Sequence, residues 1–340
     1  MNIKQALAVV AENDDLTTEQ MQDVMMQIMT GQATESQMGA FLMGLRMKGE
    51  AVSEIIGAAS VMRKLAIPVN IESVGAVDIV GTGGDSANLF NVSTACSIVV
   101  AAAGGCVAKH GNRSVSSTTG AADLLEAAGV NLELNAQQVA SSIDNVGVGF
   151  MFAPQYHKAM RHAIVPRKEM ALRTIFNLLG PLTNPAGAKH YLLGVFDKSY
   201  CLPMAKVMKE LGAKHVLVVS AHDGLDEISL NGQTSVAELN NGEIKEYNIT
   251  AEDVGLTSQS LDDLQVFSAK ESLAMINAAF AGENSKAADM IALNAGAAIY
   301  AADLVENIQA GVVMAKEAIT NGKAAKKLQE LIAYSQSSEQ

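Results

Sequence analysis

Tryptophan is absent from the 340-residue chain, and aromatic side chains make up only 4% of it. Ala, Gly and Met are abundant instead, a composition typical of helix-rich α or α/β enzymes with closely packed small residues. Arginine is scarce and one-sided. None of the six lies beyond Arg173, and Arg113, Arg161, Arg167 and Arg173 fall in one central stretch. Arg46 and Arg63, outside it, read as solvated surface charge. Positive charge is in deficit overall, with a net charge of −12. That argues against a nucleic-acid binder, which needs a basic surface. A local cluster of donors still permits an anionic substrate. The three cysteines, Cys96, Cys106 and Cys201, form no Cys-x-x-Cys pair, which disfavours a zinc site or a disulfide framework. They are expected as buried small hydrophobes. No apolar run reaches membrane-spanning length, and residues 1–10 mix polar with apolar side chains and lack a signal-peptide core. A cytoplasmic chain with no membrane partner is the expectation.

With 49% hydrophobic and 18% charged residues, the chain is globular and long enough for two domains. Its first 66 residues show helical periodicity only. Ile3, Leu7 and Val10 share a face. Thr17 and Gln20 form a capping-box pattern ahead of Met21, Val24, Met25 and Ile28, and Gly31 stops that helix. Thr34 and Gln37 repeat the pattern before Met38, Phe41, Leu42 and Leu45. Gly49 ends this helix, and Ser53 is expected to start the next. The methionine stripe reads as core.

After Pro68 short apolar strands alternate with helices. Strands are expected at 77–80, 107–109, 148–152, 190–196 and 215–220, and Asn240-Asn241-Gly242 marks a hairpin turn. The alternation implies a mainly parallel central sheet with helices on both faces. The predicted architecture is α/β. A small all-helical N-terminal domain (residues 1–70, joined by helices from about 165–185) accompanies a larger α/β domain (71–340). Residues 180–185, Gly-Pro-Leu-Thr-Asn-Pro, form a rigid break, either a plain loop or a crossing between the two domains.

Three polar segments fall at the carboxyl ends of strands, where open α/β sheets bind ligands. Asp78-Ile79-Val80 runs into Gly81-Thr82-Gly83-Gly84-Asp85, whose glycines let backbone amides approach a phosphate. It is neither a dinucleotide fingerprint nor a Walker loop. Asn91-Val92-Ser93-Thr94 follows and opens an apolar helix. Ser93 or Thr94 is expected at its N-cap, where hydroxyls and free N–H groups suit an anion. One βα unit later comes Lys109-His110-Gly111-Asn112-Arg113, continuing through Ser114-Val115-Ser116-Ser117-Thr118-Thr119-Gly120. Its lysine and arginine are expected as fixed cations at the strand end. Two adjacent phosphate-type loops suggest a substrate with two separated phosphate groups, such as phosphoribosyl pyrophosphate. Asp226-Glu227 lies in a turn after the strand at 215–220. Beside phosphate loops these carboxylates become candidate Mg²⁺ ligands.

On these residues, together with the run Arg173-Thr174-Ile175-Phe176-Asn177-Leu178-Leu179-Gly180-Pro181-Leu182-Thr183-Asn184-Pro185, the chain resembles the anthranilate phosphoribosyltransferase family from end to end. The resemblance implies a fold of the nucleoside phosphorylase and phosphoribosyltransferase type. It implies a homodimer paired through the helical domain, and transfer of a phosphoribosyl group to anthranilate in tryptophan biosynthesis. Phosphoribosyl pyrophosphate would lie on Gly81, Gly84, Asp85 and Leu89, on Asn91 to Thr94 with Val92 and Ser93 between, on Lys109, His110, Gly111, Asn112, Arg113, Ser114, Val115, Ser116 and Ser117, and on Ala121. Anthranilate would meet Gly81, Asn112, His157 and Arg167. Ser93, Asp226 and Glu227 would hold two Mg²⁺ ions. His110 and His157 are candidates for orienting the acceptor. The chain departs from the family at Leu89, where a hydroxyl residue is usual, and at Thr118-Thr119, where Lys-Ser is usual. A lysine missing beside a phosphate is expected to weaken phosphoribosyl pyrophosphate binding. Alternatives from the same fold are a pyrimidine nucleoside phosphorylase, which would not need the carboxylate pair, and a nucleic-acid-binding protein, which would need a basic groove.

Overall fold

The structure, a computed structural model, describes residues 1–83, 87–114 and 118–337. Four helices come first: α1 (Ile3–Ala11), α2 (Thr18–Met29), α3 (Glu35–Lys48) and α4 (Val52–Leu65). The two capping boxes are in place. The Thr17 hydroxyl accepts the Gln20 N–H at 3.2 Å, and the Gln20 side chain accepts the Thr17 N–H at 2.9 Å. Thr34 and Gln37 do the same at 3.3 and 3.0 Å. Gly49, at φ +86°, closes α3. The start of α4 differs from expectation. Ser53 lies inside the helix, and Ala51 holds the cap position without a capping side chain. The fully buried Glu54 compensates by accepting the N–H groups of Ala51 (2.8 Å) and Leu16 (3.0 Å), while Lys48 donates to it at 3.0 Å.

The α/β part continues with β1 (Val77–Gly81), α5 (Val92–Ala102), β2 (Val107–Gly111), α6 (Ala121–Ala127), α7 (Ala136–Val146) and β3 (Val148–Phe152). Three short helices follow: α8 (Ala153–Tyr156), α9 (Ile164–Met170) and α10 (Ile175–Leu179). Then come β4 (His190–Gly194), α11 (Cys201–Glu210), β5 (His215–Ala221) and the hairpin β6 (Thr234–Asn240) and β7 (Glu243–Ile249). Helices α12 (Ala269–Phe280), α13 (Ser285–Ala301), α14 (Ile308–Thr320) and α15 (Lys323–Ser337) complete the chain. The strands make one sheet in the order β3-β2-β1-β4-β5-β6-β7. Pairing is parallel through β5 and antiparallel beyond it. At the hairpin tip Asn241 (φ +47°) and Gly242 (φ +86°) both take the left-handed conformation that a type I′ turn requires.

The sheet divides the core in two. Ile79, Leu192, Leu217 and Val219 face α5 and the C-terminal helices. Tyr191, Leu193, Val216 and Val218 face the other way. They belong to the same apolar mass as Met21, Met25, Phe41 and Leu42 of the helical bundle. The methionine stripe is therefore core, as expected. α9 packs on α3, and α10 packs on α3 and α4. Arg63 is not a solvated charge. It is half-buried, and its guanidinium donates to the carbonyls of Leu182 (2.6 Å) and Leu211 (3.2 Å), tying α4 to two loops of the α/β part. Arg46 is exposed but donates to the Arg173 carbonyl at 2.6 Å. Cys96 and Cys201 are buried, Cys106 is half-buried, and all three are free thiols. No helix among the described residues is long and apolar enough to cross a membrane.

Candidate functional site

The site begins where the sheet forks. β1 and β2 share one register pair, Val77 with Val107, against five between β1 and β4. Past that rung side chains replace the ladder. The fully buried Asp78 accepts the backbone N–H of His110 through Oδ1 at 3.1 Å. Its Oδ2 accepts the side-chain amide of Asn184 at 2.7 Å, and that amide also donates to the Ala108 carbonyl at 2.8 Å. The Lys109 ammonium donates to the Ile79 carbonyl at 2.6 Å. Burial raises the Asp78 carboxyl to about 6, although Lys109 and the hydrogen bonds from Asn184 and His110 oppose it.

On one side of the fork lie the anion-type loops. Lys109 is buried, and its ammonium lies 3.3 Å from the Ser93 hydroxyl. Burial lowers its pKa, while the charges of Asp78 and Glu227 oppose that shift. The turn carrying Asp226 and Glu227 folds onto the ends of β1 and β4. Asp226 Oδ2 accepts the Gly83 N–H at 2.7 Å. A Cβ on Gly81 would fall 2.2 Å from that Oδ2, and one on Gly194 would fall 1.5 Å from the Asp226 carbonyl oxygen. Gly194 is therefore needed for the acidic turn to close, and Gly81 for the Asp226 carboxylate to keep its position. Ser93, Asp226 and Glu227 are half-buried and offer hard oxygen donors, a set that suits Mg²⁺. Among the described residues no group of three or more His, Cys, Asp or Glu could hold a metal ion.

On the other side lie two histidines. The rings of His110 and His157 are 5.1 Å apart, and both are buried. Each Nε2 is buried without a partner among the described residues. Burial holds His110 at about 3 and His157 at about 4, so both rings are neutral at pH 7. Arg167, in α9, is half-buried with its guanidinium 5.2 Å from the centre of the Phe176 ring. Burial alone lowers its pKa, and no carboxylate among the described residues pairs with it.

Several expected residues take different roles. Asn91, not Ser93 or Thr94, is the N-cap of α5, and it makes no side-chain cap bond. Its amide spends itself elsewhere: Oδ1 accepts from the hydroxyls of Ser272 (2.8 Å) and Thr119 (3.2 Å), tying α5 to α12 and to the second loop. The Thr94 hydroxyl is buried and Val92 is core. Lys109 and Arg113 differ in setting, the first buried and the second exposed. Lys109 is enclosed in the fork, and Arg113 pairs with Asp123 (2.9 Å) and Glu126 (2.8 Å). Asn112 is exposed, and its Oδ1 accepts the Arg113 N–H at 2.7 Å. Ser114 and Gly120 both donate backbone N–H groups to Asp123 Oδ2, at 3.1 and 2.9 Å. Gly111 is needed because a Cβ there would meet Phe150 at 2.8 Å and Ala121 at 3.2 Å. Leu89 bridges Gln265, and the Thr118 hydroxyl donates to the Val266 carbonyl at 2.9 Å. Both positions where the chain departs from the family thus tie the two loops to the 264–266 segment. Gly84, Asp85, Val115, Ser116 and Ser117 lie outside the described residues.

Asp78, Asn184, Gly194 and Asp123 had no assigned role in the sequence reading. Asp78 carried a usable signal, a carboxylate inside an otherwise apolar strand. Gly194 carried none without the partner loop.

Comparison with known proteins agrees with this geometry. Residues 4–66 match the glycosyl transferase family helical bundle domain, and residues 73–325 match that family's a/b domain. Anthranilate phosphoribosyltransferase of Saccharophagus degradans is 58% identical, the match covering 98% of this chain and 99% of that one. The crystal structure of anthranilate phosphoribosyltransferase from Thermus thermophilus superposes with a TM-score of 0.92 at 40% identity, covering 97% of this chain and 99% of the other. The Saccharomyces cerevisiae enzyme in complex with phosphoribosyl pyrophosphate and Mg superposes with a TM-score of 0.89 at 26% identity, covering 98% of each chain. The chain belongs to the anthranilate phosphoribosyltransferase family.

Proposed function

We propose that this chain transfers the 5-phosphoribosyl group of phosphoribosyl pyrophosphate to anthranilate, releasing pyrophosphate and N-(5-phosphoribosyl)anthranilate for tryptophan biosynthesis. The observation that carries the reading is the closed acidic turn. Asp226 is seated on Gly81 and Gly194 and bonded to Gly83, so that carboxylates border the first anion-type loop. A general surface turn has no reason to exclude a Cβ at both strand ends beneath it.

The acceptor amine attacks the anomeric carbon as the bond to pyrophosphate breaks. The sugar passes through an oxocarbenium-like state while negative charge builds on the leaving group. Ser93, Asp226 and Glu227 would hold two Mg²⁺ ions, which when bound supply positive charge to the pyrophosphate oxygens. The N-terminus of α5 adds a fixed dipole there. Arg167 offers a fork for the anthranilate carboxylate, prealigned over Phe176. The neutral rings of His110 and His157, whose Nε2 atoms are unpartnered, would orient the amine. Its proton is acidic once the new bond forms, so a strong base is unnecessary. Pairing as a homodimer would use the helical bundle, where Met47 of α3 is 77% exposed and Met43 is 37% exposed.

The test is a single assay. Anthranilate fluorescence falls when enzyme, phosphoribosyl pyrophosphate and Mg²⁺ are all present, and stays constant when any one is omitted. Constant fluorescence in the complete mixture at high enzyme concentration ends the proposal.

A further inference from the structure

Asn294 lies inside α13 and is only 1% exposed. Asparagine is a poor residue for a helix interior, and a buried amide is costly unless its polar atoms are paired. Those of Asn294 are. Oδ1 accepts the Ile228 N–H at 2.8 Å, and Nδ2 donates to the carbonyls of Ile228 (2.9 Å) and Met290 (3.1 Å). The amide grips both backbone groups of one residue, as a neighbouring antiparallel strand would. Its orientation is fixed, because a flipped amide would turn a donor toward the Ile228 N–H and its oxygen toward two carbonyls.

Ile228 directly follows Asp226-Glu227. It stands beyond the last rung of the β5–β6 ladder, Ala221 with Thr234, so the sheet does not hold it. Its side chain is fully buried in the core formed with α5 and α13.

The helix that supplies the grip is itself tightly seated. α13 packs on α14 with glycines at the crossing: a Cβ on Gly296 would fall 2.5 Å from the Val312 nitrogen, and one on Gly311 would fall 2.1 Å from the Gly296 carbonyl oxygen. α13 also packs on α5, whose first turn carries Ser93. Cys96 follows Ser93 by one turn, and its buried thiol donates to the carbonyl of Ile291 at 3.4 Å, one turn before Asn294. One helix thus backs all three candidate Mg²⁺ donors, Ser93 through α5 and Asp226 with Glu227 through Ile228.

We infer that Asn294 is a positioning residue for the metal-binding carboxylates: its amide fixes the backbone directly after Glu227 and keeps the acidic turn in place relative to Ser93. The inference rests on the proposed Mg²⁺ role of that turn.

Two measurements test it without turnover. The first is amide hydrogen exchange in the metal-free enzyme. The ratio of the Ile228 exchange rate to those of the β1 amides should rise about tenfold in Asn294→Ser, a comparison that cancels any loss of global stability. The second is Mn²⁺ binding in the presence of pyrophosphate, followed by electron paramagnetic resonance. Asn294→Leu leaves both backbone groups of Ile228 unpaired, whereas the Met290 carbonyl keeps its helical bond. Its Mn²⁺ Kd should rise about tenfold, and that of Asn294→Ser about threefold. The control is Ile299→Ala, a cavity in the same helix near Ala301, whose carbonyl meets His190 at the start of β4, the opposite end of the sheet from the acidic turn. It should lower the melting temperature and leave the Mn²⁺ Kd unmoved. If Asn294→Leu does not fold, Asn294→Ser decides. A Kd unmoved in the Asn294 variants, an equal shift in Ile299→Ala, or an unaltered exchange ratio overturns the inference. Wild type that binds Mn²⁺ but does not consume anthranilate counts against the acceptor alone, and the inference then stands or falls on the same two measurements. Wild type that binds no Mn²⁺ overturns it together with the Mg²⁺ role.

Discussion

Replacing Gly194 with alanine tests the acidic turn most directly. The added Cβ would lie 1.5 Å from the Asp226 carbonyl oxygen and 2.4 Å from its carbonyl carbon, where ordinary contact begins at 3.4 Å. The obstacle is backbone on both sides, so no side-chain rotation relieves it. The turn must retreat by about 2 Å from the end of β4, taking Asp226 and Glu227 with it and breaking the bond from Gly83 to Asp226 Oδ2. A misplacement of about 1 Å in a catalytic constellation costs on the order of 10²-fold in rate. Turnover of Gly194→Ala should thus fall by at least that factor, with half-saturation shifted to higher Mg²⁺. Gly81→Ala should fall less, because its Cβ meets the rotatable carboxylate of Asp226 at 2.2 Å. The double variant Asp226→Asn with Glu227→Gln sets the floor, since it removes the charges without moving the turn. The assay is anthranilate fluorescence across a Mg²⁺ titration, alongside a melting curve. Gly194→Ala with wild-type turnover and an unchanged Mg²⁺ midpoint would refute the reasoning.

Arg167→Ala should weaken anthranilate far more than phosphoribosyl pyrophosphate. Loss of a charge-assisted pair costs roughly 1.5–3 kcal/mol, about ten- to a hundredfold in kcat/KM for the acceptor; Arg167→Lys should recover part of it, and equal penalties in steady-state kinetics would argue against the role. Thr118→Lys should lower the phosphoribosyl pyrophosphate KM by a few fold, since a cation returns to the second loop, and an unchanged or higher KM would show that the tie to Val266 matters more. Stability should depend on pH through the two histidines. Their folded values, about 3 for His110 and about 4 for His157, lie below the free value of about 6.5, so the stability they contribute is present above pH 6.5 and is lost as pH falls toward those values. Asp78, raised to about 6, acts oppositely, with its contribution complete below the unfolded carboxyl value and lost as pH rises through about 6. His157→Gln should therefore reduce the dependence of unfolding free energy on pH near 5.5 by about 1.4 kcal/mol per pH unit, measured by urea titrations at several pH values. An unaltered slope would show that His157 is not buried and neutral.

The parts of this molecule that were legible in its sequence are those set by local rules. Both threonine capping boxes, the Asn241-Gly242 turn and the βα alternation depend on residues a few positions apart, and they appear where the spacing put them. Loops at strand ends were locatable for the same reason. What the sequence hid were long-range exchanges. Nothing near Lys109 in sequence reveals that its ammonium will turn into the fork toward Ile79. Arg113 was expected as a fixed cation, but the partners that fix it, Asp123 and Glu126, lie one helix later. Ser93 and Thr94 looked like caps, yet the cap of α5 falls two residues before Ser93, at Asn91, whose side chain is bonded to Ser272, 181 residues away. Glu54 stood in for a cap that Ala51 could not make.

The apolar mass that joins the helical bundle to one face of the sheet has a bearing on how this chain may be cut and rejoined. Tyr191, Leu193, Val216 and Val218 are each fully buried against it. An α/β part expressed from residue 73 onward would present that face to water and self-associate, however well its remaining core formed. A protease nick in the connecting residues 66–73 should have the opposite result: the fragments stay together, held by the shared interior and by Arg63 reaching across to Leu182 and Leu211. The boundary between the two family patterns is thus a seam in the sequence and not a seam in cooperativity, and the chain should melt in one transition.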